Sequence, residues 1–147
     1  MGNPQIQLIL QLIIAVVLGG VIGLEREMKK REAGLQTYAL VTLGSCLFTM
    51  IAYQLFNVFS GGAGVSFDPS RVIQAVAIGI GFIGAGVIIY RQARVEGITT
   101  AAGLWCSAAV GVAVGARLYF LAVLTTLLAA VILIGLGEVE KRCFKRD

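Results

Sequence analysis

Five apolar runs, each about as long as a helix that crosses a bilayer, dominate the sequence and leave the charged residues in short segments between them. About 20 apolar residues carry an α-helix across the hydrocarbon core. Because lipid cannot hydrogen-bond to the backbone, only helices and closed barrels cross it. The runs predict five transmembrane helices, at about residues 6–24, 37–59, 72–90, 98–115 and 118–137.

The composition agrees with a membrane domain. Of the 147 residues, 58% are hydrophobic and 14% are charged, whereas a soluble domain is about half apolar and a quarter charged. We therefore expect one all-α integral membrane domain over residues 1–137, followed by a short charged tail over residues 138–147.

The basic residues predict how the helices are oriented in the membrane. Ten of the twelve Lys and Arg residues lie in the first loop, the third loop and the tail. The other two, Arg71 and Arg117, lie in the segments that would face the opposite side. Since loops rich in Lys and Arg stay on the cytoplasmic side, we predict an N-terminus outside and a C-terminus in the cytoplasm.

The sequence offers little to an enzyme or a metal site. It has no histidine, and its three cysteines are scattered without metal-binding spacing. None of the eight carboxylates lies in the middle of a predicted span. The basic residues flank apolar runs, as membrane anchors do, and do not form a nucleic-acid patch. We expect no enzymatic activity, no cofactor, no metal and no nucleic-acid partner.

The segment GIGFIGAG contains the spacing G-x-G-x-x-G, but it lies inside the third span and not between a strand and a helix. A dinucleotide site is excluded on that ground. Small residues let helices approach closely in lipid, so we predict helix packing at these glycines and make the third helix the central, sandwiched one. The alternative is a flexible hinge in a transporter. The predicted packing residues are Gly19, Gly23, Gly79, Gly81, Gly84, Gly86, Gly103, Ser107 and Gly111.

A short motif, R-x-x-G-[LI]-x-T, occurs at Arg31–Thr37 and again at Arg94–Thr100, and at the same offset Gly23 corresponds to Gly86. Each copy closes a cytoplasmic loop and opens a helix. The motif suggests two parallel helical hairpins followed by a fifth helix, an arrangement known among transporters; chance similarity is the alternative.

The same motif predicts a functional cluster at the cytoplasmic surface, because two helices begin there with unpaired N–H groups. We expect Thr37, Thr99 and Thr100 to cap these ends, with Arg31 and Arg94 beside them, in a pocket for an anionic group. The alternative is simple capping and membrane anchoring. The cluster comprises Glu25, Arg26, Arg31, Gly34, Thr37, Arg94, Gly97, Thr99 and Thr100.

Two acidic residues carry more specific predictions. Glu25 ends the first apolar run, where the negative end of a helix disfavours a carboxylate; we expect Arg31 or Arg94 to pair with it, because Arg26 points elsewhere on the helix. Asp68, followed by a proline and then by Arg71, predicts an N-cap and helix start on the outer face.

Three segments carry a family resemblance: GLEREMKKREAGLQTYALVTLGSCLF, DPSRVIQAVAIGIGFIGAGVIIYR and VEGITTAAGLWCSAAVGVAVGARLY. Their order and motifs are similar to those of the MgtC/SapB family of bacterial inner-membrane proteins, from Gly19 to Tyr119. The family loop reads R-P-A-G-L-R-T, and here Glu32 and Gln36 replace its Pro and second Arg. These departures thin the predicted basic pocket.

The resemblance implies a multi-pass protein of the bacterial inner membrane, in a short form without the C-terminal regulatory domain of some members. It implies a link to magnesium limitation and virulence, through modulation of other membrane machinery such as ATP synthase. We expect the chain to act without catalysis, in the bilayer, as a homo-oligomer. The alternative is a small oligomeric transporter or channel for an ion or small solute.

Overall fold

Five helices form the bundle. The computed structural model describes residues 3–59, 68–91 and 94–137, and within them all five helices are long and apolar enough to cross a membrane. The predicted fold class is confirmed; the predicted tail lies outside the described residues. The helices are α1 (Pro4–Met28), α2 (Leu35–Phe59), α3 (Pro69–Val87), α4 (Ile98–Gly115) and α5 (Tyr119–Val131), which continues as a π-helical segment, Ile132–Leu136.

The third helix is shorter than the apolar run that predicted it. Ile88 has an extended backbone, with φ −81° and ψ 115°, so the helix ends before it. The chain then forms two short antiparallel strands, β1 (Ile89–Arg91) and β2 (Arg94–Glu96), in which Tyr90 pairs with Val95. β-Branched and aromatic residues favour strands, which explains why the apolar run continues past the end of α3.

The ends of α1 and α4 share one geometry. In α1, Lys30 has a φ of 52°, and Arg31 N–H donates to the Arg26 carbonyl at 3.0 Å. In α4, Arg117 has a φ of 63°, and the next residue, Leu118, donates to the Ala113 carbonyl at 2.8 Å. These are Schellman caps with a long basic residue at the left-handed position that usually holds glycine.

The fourth helix, and not the third, is central. More than half of α4 (56%) is buried inside the bundle, against 11% of α3. α4 packs against all four other helices, whereas α3 packs mainly on α4. The prediction that the third helix is sandwiched is therefore wrong.

Glycines create the close contacts between α2 and its neighbours α1 and α4. A Cβ added at Gly19 would lie 2.7 Å from the Tyr38 carbonyl, and one at Gly23 would lie 2.8 Å from Tyr38 Cβ. On α4, Gly103 faces the Tyr38 ring, and a Cβ at Gly111 would lie 2.8 Å from the Ser45 side chain. Such approach lets dispersion and backbone contacts hold helices together where lipid removes the hydrophobic drive.

The glycines of α3 behave differently. Gly84 faces Ala101 of α4, at 3.4 Å from an added Cβ. Gly79, Gly81 and Gly86 have no atom within 4 Å of that position among the described residues. Contrary to expectation, these three do not pack helices within the described chain, because α3 turns only one side toward α4.

Two buried polar residues belong to the helix packing. Ser107, also predicted to pack helices, is fully buried on α4, and its hydroxyl has no partner among the described atoms. Gln11 of α1 is 2% exposed and its amide donates to the Val114 carbonyl at 3.2 Å. Carbonyls at the end of a helix lack intrahelical partners, so Gln11 completes the end of α4 and joins it to α1.

Asp68 begins α3. It is the N-cap, and its Oδ1 accepts a hydrogen bond from Ser70 N–H at 2.9 Å. That hydrogen bond, with Arg71 nearby, holds the pKa of the exposed Asp68 carboxyl below its usual range. The carboxylate thus stays ionised at the positive end of the helix, where an anion is stabilised.

Candidate functional site

Arg26 is the centre of a buried polar network that ties three helices together. Its side chain, near the end of α1, is almost completely buried at 3% exposure. Nη2 donates to Thr100 Oγ1 of α4 at 2.9 Å, and Nη1 lies 3.5 Å from Glu25 Oε2. A buried guanidinium is tolerated only when it is paired and hydrogen-bonded, so these contacts fix the end of α1 against the first turn of α4.

Thr100 connects this arginine to two further elements. Its hydroxyl accepts from Arg26 and donates to Glu32 Oε2 in the loop before α2, at 2.6 Å. Its carbonyl accepts a hydrogen bond from Tyr38 Oη of α2 at 3.1 Å. Thr100 is 1% exposed. One residue therefore holds α1, the first loop, α2 and α4 in register.

Glu25 pairs with its neighbours on α1 and not with the predicted loop arginines. Lys29 Nζ lies 2.6 Å from Glu25 Oε1, and Arg26 contacts the other oxygen. The spacing i, i+4 puts Lys29 beside Glu25 on the helix, and the Arg26 side chain is long enough to turn back toward it. The predicted pairing with Arg31 or Arg94 is wrong.

Lys29 also reaches the fifth helix. Its Nζ lies 3.5 Å from the Leu133 carbonyl, which belongs to the π-helical segment after α5. A π-helical segment changes the intrahelical hydrogen bonding and often marks a functional position. Lys29 thereby joins α5 to the network, which we define as Glu25, Arg26, Lys29, Glu32, Tyr38 and Thr100.

The predicted threonine caps are absent at both helix starts. Glu27 caps α2 instead: its Oε2 accepts from Leu35 N–H at 3.1 Å, and Thr37 lies inside the helix. An added Cβ at Gly34 would displace the Glu27 carboxylate from this position. A carboxylate at this position meets the positive end of α2.

The start of α4 depends on backbone conformation. Gly97 is the N-cap, with a φ of 87° and no side-chain cap hydrogen bond. An added Cβ there would strike the Val87 carbonyl. Thr99 is exposed and Thr100 points into the network. The two copies of the sequence motif thus end in different loop structures.

The predicted anion pocket is not formed by the loop arginines. Arg31 and Arg94 are both exposed, while the buried cation is Arg26. Arg26 and Lys29 face two carboxylates, Glu25 and Glu32, directly or through Thr100. The two cations and the two carboxylates offset each other, so the network lacks the net positive charge of a basic pocket.

The network retains unused hydrogen-bonding capacity. Arg26 Nε is buried and has no hydrogen-bond partner among the described atoms, whereas the buried Glu25 Oε1 is ion-paired with Lys29 Nζ at 2.6 Å. Buried unsatisfied polar atoms are rare and costly.

Glu32 is held as a carboxylate. The hydrogen bond from Thr100, assisted by the positive charges of Arg31 and Arg26, holds its pKa below the usual range despite partial desolvation. It stays charged at neutral pH and keeps the Thr100 hydroxyl oriented, so that the oxygen lone pairs face Arg26. No group of three or more His, Cys, Asp or Glu residues in the described part of the chain could hold a metal ion.

Sequence reasoning missed three members of the network, Lys29, Glu32 and Tyr38, and also the residue that caps α2, Glu27. The charged run E-R-E-M-K-K-R-E held a signal, since the spacing of Glu25 and Lys29 is that of a helical ion pair. No sequence pattern indicates a role for Tyr38, because only the tertiary packing of α2 on α4 brings its hydroxyl to the Thr100 carbonyl.

Fold and site together define a five-helix multi-pass membrane protein whose loops at one end are joined by a buried ionic network. The chain belongs to the MgtC family, whose model matches residues 12–142. It is 46% identical over 104 residues to the protein MgtC of Brucella abortus, a match covering 71% of this chain and 40% of that protein.

Two further relatives extend the match. The chain is 37% identical over 145 residues to the protein SrpB of Synechococcus elongatus, across 93% of this chain and 79% of SrpB. It is 38% identical over 127 residues to the Escherichia coli protein named "Putative magnesium transporter YhiD", across 86% of this chain and 59% of YhiD. The match thus spans about half the length of MgtC and YhiD. No solved structure matches the chain.

Proposed function

We propose that this protein is a non-enzymatic modulator of other membrane machinery in the bacterial inner membrane, active in magnesium limitation. The family membership and the name of its relative YhiD support the link to magnesium. By family resemblance, the machinery includes ATP synthase, and a role in virulence belongs to the same proposal.

The observation that carries the proposal is the position of the carboxylates. The five in the described residues lie at helix ends, in the first loop or in the short strand β2: Glu25, Glu27, Glu32, Asp68 and Glu96. Mg²⁺ prefers carboxylate and water oxygens, and ion pathways place such groups near the midplane. The distribution favours a protein that docks through its loops over one that conducts magnesium.

Two buried hydroxyls of α2 are already used within that helix. Thr42 donates to the Tyr38 carbonyl at 2.9 Å, and Thr49 donates to the Ser45 carbonyl at 2.8 Å. Neither of these hydroxyl hydrogens is therefore directed at an ion path.

The second candidate function is an oligomeric transporter. It is favoured by the name of the relative YhiD.

In this proposal the network sets the shape of the docking surface. Arg31 is exposed on the first loop, which Glu32 ties to Thr100 of α4, and Arg94 is exposed on the β-hairpin that leads into α4. A partner with acidic groups would meet these two arginines while Arg26 stays buried and neutralised. Loss of the network would let the first loop and the β-hairpin before α4 move apart. Docking would then weaken although Arg31 and Arg94 are both still present.

The test is complementation in a bacterium that lacks its own family member. We expect the wild-type chain to restore growth in low magnesium and to change cellular ATP content. A photo-crosslinking residue at position 94 should capture a subunit of ATP synthase. The same probe at Phe120 should not, because Phe120 is exposed in the first turn of α5, at the end of the bundle opposite the network. Restored growth with equal capture at both positions would contradict docking through the loops. Failure of growth despite normal membrane levels would contradict the magnesium role.

A further inference from the structure

A deep groove separates α2 from α3 on the outside of the bundle. Its volume is about 860 Å³. Its walls are apolar: α2 contributes Leu40, Val41 and Phe48, and α3 contributes Val72, Val76 and Ile83. Gly79 also lines it, and its Cβ position is open. The groove exists because α3 packs on α4 and only weakly on α2.

Among the described residues, one charged side chain lines this groove. Arg71, in the first turn of α3, is exposed at the end of the groove where α3 begins. Asp68 lies close enough to influence it, but the Asp68 carboxylate is bound to Ser70 N–H as the helix cap. An arginine at a membrane-facing helix start places its guanidinium at the level of the lipid headgroups.

The dimensions of the groove fit hydrocarbon chains. From Arg71 to Ile83 the helix rises about 18 Å at 1.5 Å per residue, which is close to the roughly 15 Å depth of one leaflet. Carbon atoms in contact are 3.5–4.0 Å apart, so one extended chain fills about 300 Å³ over that length. The groove therefore has room for the two chains of one phospholipid.

The charge at the end of the groove favours a phospholipid over a helix from a second copy. A phosphate complements Arg71, since guanidinium and phosphate form short, charge-assisted hydrogen bonds.

We propose that this groove is a binding site for one phospholipid, with its acyl chains between α2 and α3 and its phosphate on Arg71. The lipid would take the place of the missing contact between the two helices. It would be held at a defined site, unlike the lipids that exchange along the rest of the surface. This site is separate from the polar network and does not depend on the proposed function.

Two glycines on one helix provide a matched pair of variants. Gly79 lines the groove and Gly81 does not, and neither has an atom within 4 Å of an added Cβ among the described residues. The first carbon of a leucine side chain at either position thus meets no described atom within 4 Å. Gly79→Leu fills the groove, and Gly81→Leu is the control. Arg71→Gln removes the charge and leaves the apolar walls intact.

The experiment is titration of purified protein in detergent with phosphatidylglycerol, followed by native mass spectrometry. We expect one lipid per wild-type chain and the same for Gly81→Leu. Arg71→Gln and Gly79→Leu should each bind the lipid about tenfold more weakly. The first variant loses the charge-assisted hydrogen bond to the phosphate, and the second loses space for the acyl chains. Thermal unfolding shows whether each variant is folded. If Gly79→Leu does not fold, the lipid affinity of Arg71→Gln alone decides whether the groove binds the lipid.

Three results would overturn the proposal. Equal lipid retention by all four proteins would show only freely exchanging boundary lipid. Equal weakening by Gly81→Leu would show that the groove is not the site. A change from dimer to monomer in Gly79→Leu, with unchanged lipid binding, would assign the groove to a second copy of the chain.

Discussion

Replacing Thr100 with valine tests the central contact of the network. Valine keeps the shape and the β-branch but removes the hydroxyl that accepts from Arg26 and donates to Glu32. A hydrogen bond to a buried charge is worth about 1.5–3 kcal/mol. Glu32 is more exposed, so its lost hydrogen bond adds less than about 1 kcal/mol. We expect a loss of about 2–3 kcal/mol, or roughly 30- to 150-fold in the unfolding equilibrium.

The neighbouring residue is the matched control for this variant. Thr99 is also in the first turn of α4 but is exposed, so Thr99→Val should change stability by no more than about 0.5 kcal/mol. The assay is reversible unfolding in mixed micelles. In an Arg26→Met background the cost of Thr100→Val should fall below about 1 kcal/mol, because the two residues share one interaction. Equal stability of the Thr99 and Thr100 variants would refute the network as a stabilising element.

Three further predictions follow from the backbone and the loops. Gly111→Leu should abolish the native monodisperse species in size-exclusion chromatography, because an added Cβ already lies 2.8 Å from Ser45, while Gly81→Leu should preserve it. Lys30→Gly and Arg117→Gly should each raise the free energy of unfolding by up to about 1 kcal/mol in the same assay, since both residues have a left-handed backbone conformation. A lower free energy of unfolding in either variant would show that this conformation is not strained. The lowered pKa of Glu32 predicts a contribution to stability that is present at neutral pH and lost as pH falls below roughly 4 through that depressed pKa. Glu32→Gln should lack that pH-dependent part, and identical pH profiles would disprove it.

The five helices could be predicted because the membrane leaves few alternatives. Each apolar run has the length of one span, and lipid forbids open backbone. The end of α3 could not be placed, because Ile88, Ile89 and Tyr90 continue the apolar run while their backbone becomes extended. Hydropathy measures burial preference and carries no information on where the helix stops.

The choice of the central helix failed for a physical reason. Small residues permit close packing, but lipid and a neighbouring helix are equally apolar partners. Gly79 and Gly111 therefore look alike in sequence, although one faces an open groove and the other the Ser45 side chain. Only the assembled bundle distinguishes them.

The predicted cluster includes Glu25, Arg26 and Thr100 of the network, but the predicted ion pairs differ from those in the structure. The motif drew attention to Thr100, and Glu25 was identified as an unfavourable charge at a helix end. Helical position alone excluded Arg26 as a partner, yet the flexible Arg26 side chain reaches both Glu25 and Thr100. The length and flexibility of long basic side chains limit what a helical wheel can predict.

The most direct test of the proposed function is magnesium flux into sealed liposomes. Purified chain with a normal unfolding transition would be reconstituted into vesicles that contain a fluorescent magnesium indicator, with protein-free vesicles as the control. For a modulator whose described carboxylates lie at helix ends, in the first loop or in the short strand β2, we expect influx equal to that of the protein-free vesicles. Expression of the same chain should still restore growth in low magnesium. Magnesium influx that rises with the amount of protein and is lost in Gly111→Leu would contradict the modulator and establish the transporter instead.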